Sequence, residues 1–270
     1  MTDSLTTQVL AIMQRAADVA ILPRFQNLAA ADIVSKAVND VVTIADNEAE
    51  AIIAEGLARL MPEAAVVGEE ACHSEPALLD QLGSGLCWII DPIDGTNNFA
   101  AGKRPFGVMV ALSEHGETVA GWIYDPVSKR LCHAAAGKGA WIDGNRITAR
   151  TTGESPPVAA NSLVYVRQAT RAAVTAAVAP HYRLVDVPRC AAEQYPRLVL
   201  GINDVAIFER TMPWDHAAGV LLVNEAGGRA ARRDGSAYRV DDKGAGLIGA
   251  ASPALWEDIA TRLNAAIETT

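Results

Sequence analysis

Asp91 and Asp94 stand three residues apart in the run Trp88-Ile-Ile-Asp-Pro-Ile-Asp-Gly-Thr-Asn-Asn-Phe99, with the hydroxyl of Thr96 close behind them. The apolar residues 87–90 read as a buried strand that stops at Asp91. Pro92 has no N–H for a strand ladder, and Asp94-Gly95 is a turn pair. The strand therefore delivers two carboxylates and a hydroxyl at its end, where a short helix opens. Clustered carboxylates repel one another and call for a cation or for protons. Oxygen ligands of this kind suit Mg²⁺ or Mn²⁺. The same dipeptides also build ordinary capped turns, so this segment alone leaves both readings open.

Acids recur at two further element ends. Residues 64–67 read as a short strand that ends in Gly68-Glu69-Glu70, and Pro213-Trp-Asp-His-Ala-Ala-Gly219 opens a helix. Upstream, Lys36 and Asp40-Val-Val-Thr43 precede Asp46; downstream lies Glu225-Ala-Gly-Gly228. Together and in this order, these pieces resemble the inositol monophosphatase family of Mg²⁺-dependent phosphatases. Fructose bisphosphatases and nucleotide bisphosphate phosphatases are related to it. The matching motifs run from residue 36 to residue 228, nearly the whole chain.

The resemblance carries expectations for each position. It implies a layered αβαβα sugar-phosphatase fold, an N-terminal α+β half followed by a C-terminal α/β half. It implies two or three Mg²⁺ ions, with Mn²⁺ as a substitute, and sensitivity to lithium. Glu69, Asp91, the backbone carbonyl of Ile93, Asp94 and Asp215 become metal ligands. Thr96 becomes the partner of the attacking water, with Asp46 accepting its hydrogen bond and Glu69 or Glu70 sharing the task. Gly95 and Thr96 would offer backbone N–H groups to the phosphate, and Lys36 positive charge. Ala191, Glu209 and Asp215 would meet the rest of the substrate. The implied reaction is hydrolysis of a small phosphate ester, inositol monophosphate first. Histidinol phosphate, adenosine 3′,5′-bisphosphate and fructose 1,6-bisphosphate are the alternatives. A homodimer, and as a remote class a non-catalytic regulator on the same fold, complete the list.

Two positions depart from the family pattern. Glu209 stands five residues before Trp214, one residue nearer than in inositol-specific members. Cys190 replaces the usual Gly-Ser or Gly-Thr at the turn Cys190-Ala191-Ala192. Arg189, Arg210 and the pair Lys103-Arg104 are candidates for a second phosphate, or ordinary surface charges.

The whole chain sets limits. Its 270 residues, half of them apolar, suit one large domain or two closely packed ones. A stretch rich in Thr, Gly, Ser and Pro over 146–160 marks a boundary. It would separate a metal-binding half, 1–148, from a half with substrate contacts, 149–270. A net charge of −9 argues against nucleic acid, while a bound cation can still admit an anionic substrate. Four cysteines without paired spacing read as buried thiols in a reducing cytoplasm. The five histidines form no zinc pattern, and no segment reads as a signal peptide or membrane span.

The elements that must position the site follow from periodicity. Helices are predicted over 4–26, 44–60, 169–177, 191–200, 215–226 and 253–267. Strands are predicted over 108–112, 119–124, 131–135, 162–166, 183–187, 204–208 and 247–250. In the helix over 44–60, Glu48 and Glu50 read as a solvated face. Gly137-Lys138-Gly139 lacks the spacing of a phosphate loop and reads as a tight turn.

Overall fold

The computed structural model describes residues 3–37, 40–162, 168–242, 244 and 246–268. Helix α1 (Asp3–Ala16) turns Val9, Met13 and Ala16 inward at helical spacing. The predicted helix over 4–26 is shorter in fact. Ala17–Ile21 widens into a π turn, and irregular turns around Pro23 follow. A hairpin of β1 (Ile33–Ala37) and β2 (Asp40–Thr43), which the pattern did not indicate, leads into α2 (Ile44–Leu60). Thr43 caps α2: its oxygen accepts from the N–H of Ala45, and Asp46 reaches back to its backbone N–H.

Seven strands then pair in chain order: β3 (Ala65–Gly68), β4 (Leu86–Asp94), β5 (Gly107–Glu114), β6 (Glu117–Asp125), β7 (Arg130–Ala135), β8 (Gly139–Ile142) and β9 (Asn145–Ile147). Only β3 and β4 run parallel, and the short helix α3 (Glu69–Ser74) lies in their crossover. A second helix, α4 (Thr96–Ala100), follows β4 directly. The other sheet has five strands: β10 (Val158–Ser162), β11 (Arg183–Val185), β12 (Val205–Phe208), β13 (Arg229–Arg232) and β14 (Leu247–Ala250). Its order is β11-β10-β12-β14-β13. Four further helices complete the chain: α5 (Gln168–Val178), α6 (Ala191–Val199), α7 (Pro213–Glu225) and α8 (Pro253–Glu268). The strand expected over 162–166 lies for the most part outside the described residues; β10 is seen earlier, from Val158.

Side-chain alternation sorts these elements into five layers. Trp88, Ile90, Val110 and Trp122 of the large sheet pack with Met13, Ile53 and Leu57 of α1 and α2. Cys87, Ile89, Met109 and Ile123 point the other way, onto Tyr195, Leu198, Ala217 and Leu221 of α6 and α7. Ala206, Phe208 and Leu247 of the small sheet enter that same core from beyond the two helices. Their alternates Val205, Ile207 and Ile248 face outward onto α5 and α8. The order is helix, sheet, helix, sheet, helix, as the αβαβα expectation has it. Helix α7 is therefore buried on nearly all sides, which small residues permit. A Cβ on Gly219 would fall 2.0 Å from the ring of Tyr195.

Strand β4 does not end at Asp91. It continues through Pro92 to Asp94 by means of a bulge. Asp91 pairs with Met109 and Asp94 with Gly107, so three residues of β4 span two of β5. In a regular strand, residues three apart point to opposite faces. The one extra residue resets the alternation. Ile93 joins the α1/α2 core with Trp88 and Ile90, while Asp94 shares the opposite face with Asp91. Pro92, with no N–H to offer, sits where the ladder is interrupted anyway.

Candidate active site

Three chain segments bring carboxylates to one place. Glu69 is the first residue of α3, Asp91 precedes the bulge of β4, and Asp215 sits in the first turn of α7. One oxygen from each lies within 4.8 Å of the others. Asp91 is only 2 % exposed, and its Oδ1 is buried with no hydrogen-bond partner. Burial first, then the charges of Glu69, Asp94 and Asp215, push its carboxyl well above the usual range. A buried acceptor with nothing to accept is costly in a folded chain. Three convergent carboxylate oxygens and one orphaned lone pair suit a hard divalent cation. The residues present fit Mg²⁺ or Mn²⁺.

Asp94 lines the same cleft but is held differently. Its Oδ2 accepts the N–H of Ala192 at 2.6 Å, at the start of α6. Burial raises its pKa, and hydrogen bonds from Cys190, Ala192, Ala191 and Gly95 oppose the rise. The amides of Gly95 and Ala191 are thus turned toward Asp94. Gly95 itself has a left-handed backbone at φ 86°, with the carbonyl of Pro105 and the side chain of Cys190 close by, so no side chain fits. Gly95 occupies the position before α4.

Thr96 is placed between two acceptors. Its hydroxyl lies 2.8 Å from the carbonyl oxygen of Ile93 and 3.2 Å from Oδ1 of Asp46. One O–H can serve only one of them at a time. Asp46 is almost fully buried, and its pKa is raised to about 6 by that burial, against the pull of its bonds to Thr43. Glu70 is buried beside this group, and its charge adds to the rise at Asp46. Lys36 belongs to β1, and its side chain lies outside the described residues.

Glu50 is the residue that the sequence pattern misplaced. It is not on a solvated face but 7 % exposed. Its two oxygens accept the N–H groups of Glu70 and Ala71, each at 2.8 Å, and so hold the start of α3. The signal was present: Glu50 lies four residues, one helical turn, after Asp46. Gly68 supplies the space, since a Cβ there would fall 2.4 Å from Oε2 of Glu50. Glu48 does behave as expected, half-exposed and paired with Arg24 at 2.8 Å.

The rest of the cleft is built from the C-terminal half. Asn98 donates to the carbonyls of Pro105 and Pro188, which ties the turn before Cys190 to α4. Ala191, Gln194, Glu209 and Arg210 line the wall. Glu209 pairs with Arg233 at 3.7 Å. His216 has both ring nitrogens engaged: Nδ1 with the hydroxyl of Tyr195 at 2.6 Å, and Nε2 with the carbonyl of Arg210 at 3.0 Å. Burial drives its pKa down to about 3, so the ring is neutral; Nε2–H donates, and Nδ1 accepts from Tyr195. The Gly137-Lys138-Gly139 turn offers two N–H groups, and Glu225 takes both at 2.7 Å. All four cysteines are buried and unpaired.

Carboxylates from a strand, a short crossover helix and a buried central helix thus meet in one acid-lined cleft within five alternating layers. The chain matches the inositol monophosphatase family over residues 3–269 and belongs to that family. It is 32% identical over 204 residues to an inositol-1-monophosphatase of Bacillus subtilis, which covers 74% of this chain and 75% of that one. It is 33% identical over 196 residues to a Nus factor SuhB of Vibrio cholerae, covering 71% and 72% of the two chains. The crystal structure of the extragenic suppressor protein suhB from Bartonella henselae superposes with a TM-score of 0.81 at 25% identity. That match covers 97% of this chain and 98% of the other, so the likeness takes in both sheets. Family members are phosphatases that act on small phosphorylated molecules and generally depend on metal. Among the described residues, no helix is long and apolar enough to cross a membrane.

Proposed function

We propose that the protein is a divalent-metal-dependent phosphomonoesterase acting on a small phosphate ester. The orphaned Oδ1 of Asp91, in the midst of convergent acids, is the observation that carries this reading. Glu69, Asp91 and Asp215 would hold Mg²⁺, with Asp94 and the carbonyl of Ile93 as further oxygens. When bound, Mg²⁺ offsets phosphate charge and makes water acidic enough to attack at neutral pH.

The chain's own part is to place and polarise. Above about pH 6, Asp46 is an ionised acceptor fixed by Thr43, so it competes for the Thr96 proton. A Thr96 hydroxyl that donates inward presents its lone pairs to the cleft, where they accept a proton of the attacking water. If the Ile93 carbonyl is taken as a ligand, Asp46 becomes the remaining acceptor for that hydroxyl. Asp94 draws the N–H groups at the start of α6 toward the cleft and fixes the turn that meets the leaving group. His216, neutral and doubly engaged, adds no charge near Asp215.

A non-catalytic role is the competing reading, since several relatives bear the name of a Nus factor. The filled acid positions favour catalysis. The deciding assay is release of inorganic phosphate from inositol 1-phosphate, histidinol phosphate, fructose 1,6-bisphosphate and adenosine 3′,5′-bisphosphate, with Mg²⁺ and with chelator. We expect turnover with Mg²⁺, none with chelator, and inhibition by Li⁺. Release that persists in chelator overturns the metal, and no release from any ester overturns the catalytic reading.

A further inference from the structure

Asp215 is one of the three convergent acids, and the helix that carries it begins without a side-chain cap. Met212 stands at the N-cap of α7 and has no side-chain oxygen for the amides of the first turn. Pro213 follows at the first helical position, where it sets its own φ and lacks the N–H that a cap would satisfy. An uncapped first turn frays readily, and this one holds a carboxylate that must meet two others.

Two buried side chains brace that turn. His216 is 3 % exposed, and its Nε2 donates to the carbonyl of Arg210 at 3.0 Å. The bond closes a loop of chain, 210–216, with Asp215 inside it. The hydroxyl of Tyr195, on α6, donates to Nδ1 at 2.6 Å and steadies the ring. Arg232, on β13, is buried to the same extent. Its Nη1 donates to the hydroxyl of Thr211, the next residue of the loop, at 2.7 Å, while Nε reaches Oδ2 of Asp242 at 3.0 Å. A buried guanidinium thus ties the loop before α7 to the segment before β14. The two braces also share a ring: Tyr238 lies 4.8 Å from the guanidinium of Arg232 and meets the edge of His216 at 6.4 Å.

Arg232 has no lone pair for a metal, and both ring nitrogens of His216 are engaged, so neither serves as a ligand. We propose that His216 and Arg232 are positioning residues: they fix the first turn of α7 so that Asp215 meets Glu69 and Asp91 at the spacing a divalent cation needs. This rests on the metal-dependent reading above and adds two residues that set the affinity for the metal.

The test is calorimetric titration of Mg²⁺ into the natural protein and its variants, with the melting temperature of each measured in chelator. His216→Leu removes the bond to Arg210, and Arg232→Met the bond to Thr211. Each should raise the Kd for Mg²⁺ by about tenfold, as loss of an orienting partner does. His216→Gln, whose amide N–H can reach the Arg210 carbonyl, should stay within about threefold of the natural protein. Glu225→Gln separates positioning from stability. Glu225 braces the far end of α7 by accepting the N–H groups of Gly137 and Gly139. Its variant should melt lower yet keep the Kd within about twofold. An unchanged Kd in His216→Leu and Arg232→Met overturns the bracing and leaves the metal reading standing. So does a Kd that rises as far in Glu225→Gln, since the effect then follows stability alone. If the larger changes prevent folding, Tyr195→Phe and Arg232→Lys carry the same expectation at about threefold, and an unchanged Kd in both overturns the proposal. A natural protein that binds no Mg²⁺ ends the metal reading itself, and the bracing with it.

Discussion

Glu50 and Asp91 are both carboxylates sealed from solvent, and the fold treats them in opposite ways. Glu50 spends its two oxygens on the backbone N–H groups that open α3. Asp91 keeps Oδ1 without a partner, beside Glu69 and Asp215. The first arrangement is what a stable helix start needs, since its N–H groups have no partner within the helix. The second makes no sense for stability alone, because like charges and lost solvent both raise the energy of the ionised form. A buried acid whose two oxygens both accept backbone N–H groups is part of the framework. A buried acid left wanting is part of a site that expects something from outside. Asp94 stands between the two, with amides on one oxygen and the acid cluster near at hand.

The contrast is broken most directly at Asp91. Asp91→Asn should lower kcat by about a thousandfold or more, as loss of a metal-binding acid does. Without added metal, its thermal midpoint should match or exceed that of the natural protein, because a repelling charge has gone. A marked loss of stability with normal turnover would place Asp91 beside Glu50 in the framework. Next in size is the pair that positions water. Thr96→Ala and Asp46→Asn should each reduce kcat by about a hundredfold with little change in KM. The double variant should be about as impaired as the worse single one, since a hydrogen-bonded unit fails when either member fails. Losses that multiply would make Glu69 or Glu70 the better candidate for that work.

The framework arm comes third. Glu50→Gln should cost about 1–3 kcal/mol of stability in urea titrations, because one buried N–H then faces an amide instead of a carboxylate oxygen. Activity should fall by about tenfold through displacement of Glu69 at the start of α3. Glu48→Gln is the control, half-exposed and paired with Arg24, and should change stability by less than about 0.5 kcal/mol. Equal effects at the two positions would erase the distinction.

The smallest effect is a dependence on pH. Burial and neighbouring acids raise the folded pKa of Asp91 above its unfolded value. Its contribution to stability is then fully present below the ordinary carboxylate pKa and is lost as pH rises through the raised one. A cation that replaces the proton restores what is lost. Mg²⁺ should therefore raise the melting temperature more at about pH 8 than at about pH 5.5. A shift that is flat or larger at the acidic end would sink this account.

Much of this was readable in the sequence, for reasons that differ by region. Helix α2 and strand β14 begin and end where the periodicity places them, because Thr43 supplies a cap and Gly246 and the turn at residues 251–252 bound the strand. The five layers and the meeting of Glu69, Asp91 and Asp215 across nearly 150 residues came only through family resemblance. Local pattern carries no information about which strand ends coincide in space. Glu50 was misread because burial by backbone amides leaves no trace in hydrophobic periodicity. The hairpin of β1 and β2 was missed because its strands are short, and Val34 stands 60% exposed on it. The turn at Gly137 was read as a turn, but not that its amides would be taken by Glu225, which lies 88 residues further on.

Strand β4 leaves one consequence for the tolerance of this chain to change in length. Most surface connections here can absorb an inserted or deleted residue by adjusting a loop. Between Asp91 and Asp94 there is no such slack. Inserting one residue beside Pro92, with the bulge kept, would leave the composition of the segment almost untouched. It would also exchange the destinations of the two residues behind it: isoleucine would be aimed at the acids, and an aspartate at Trp88 and the underside of α2. The segment thus behaves like a coded message with a fixed frame. Substitutions at Pro92 that keep the count should be better tolerated than an insertion that adds to it.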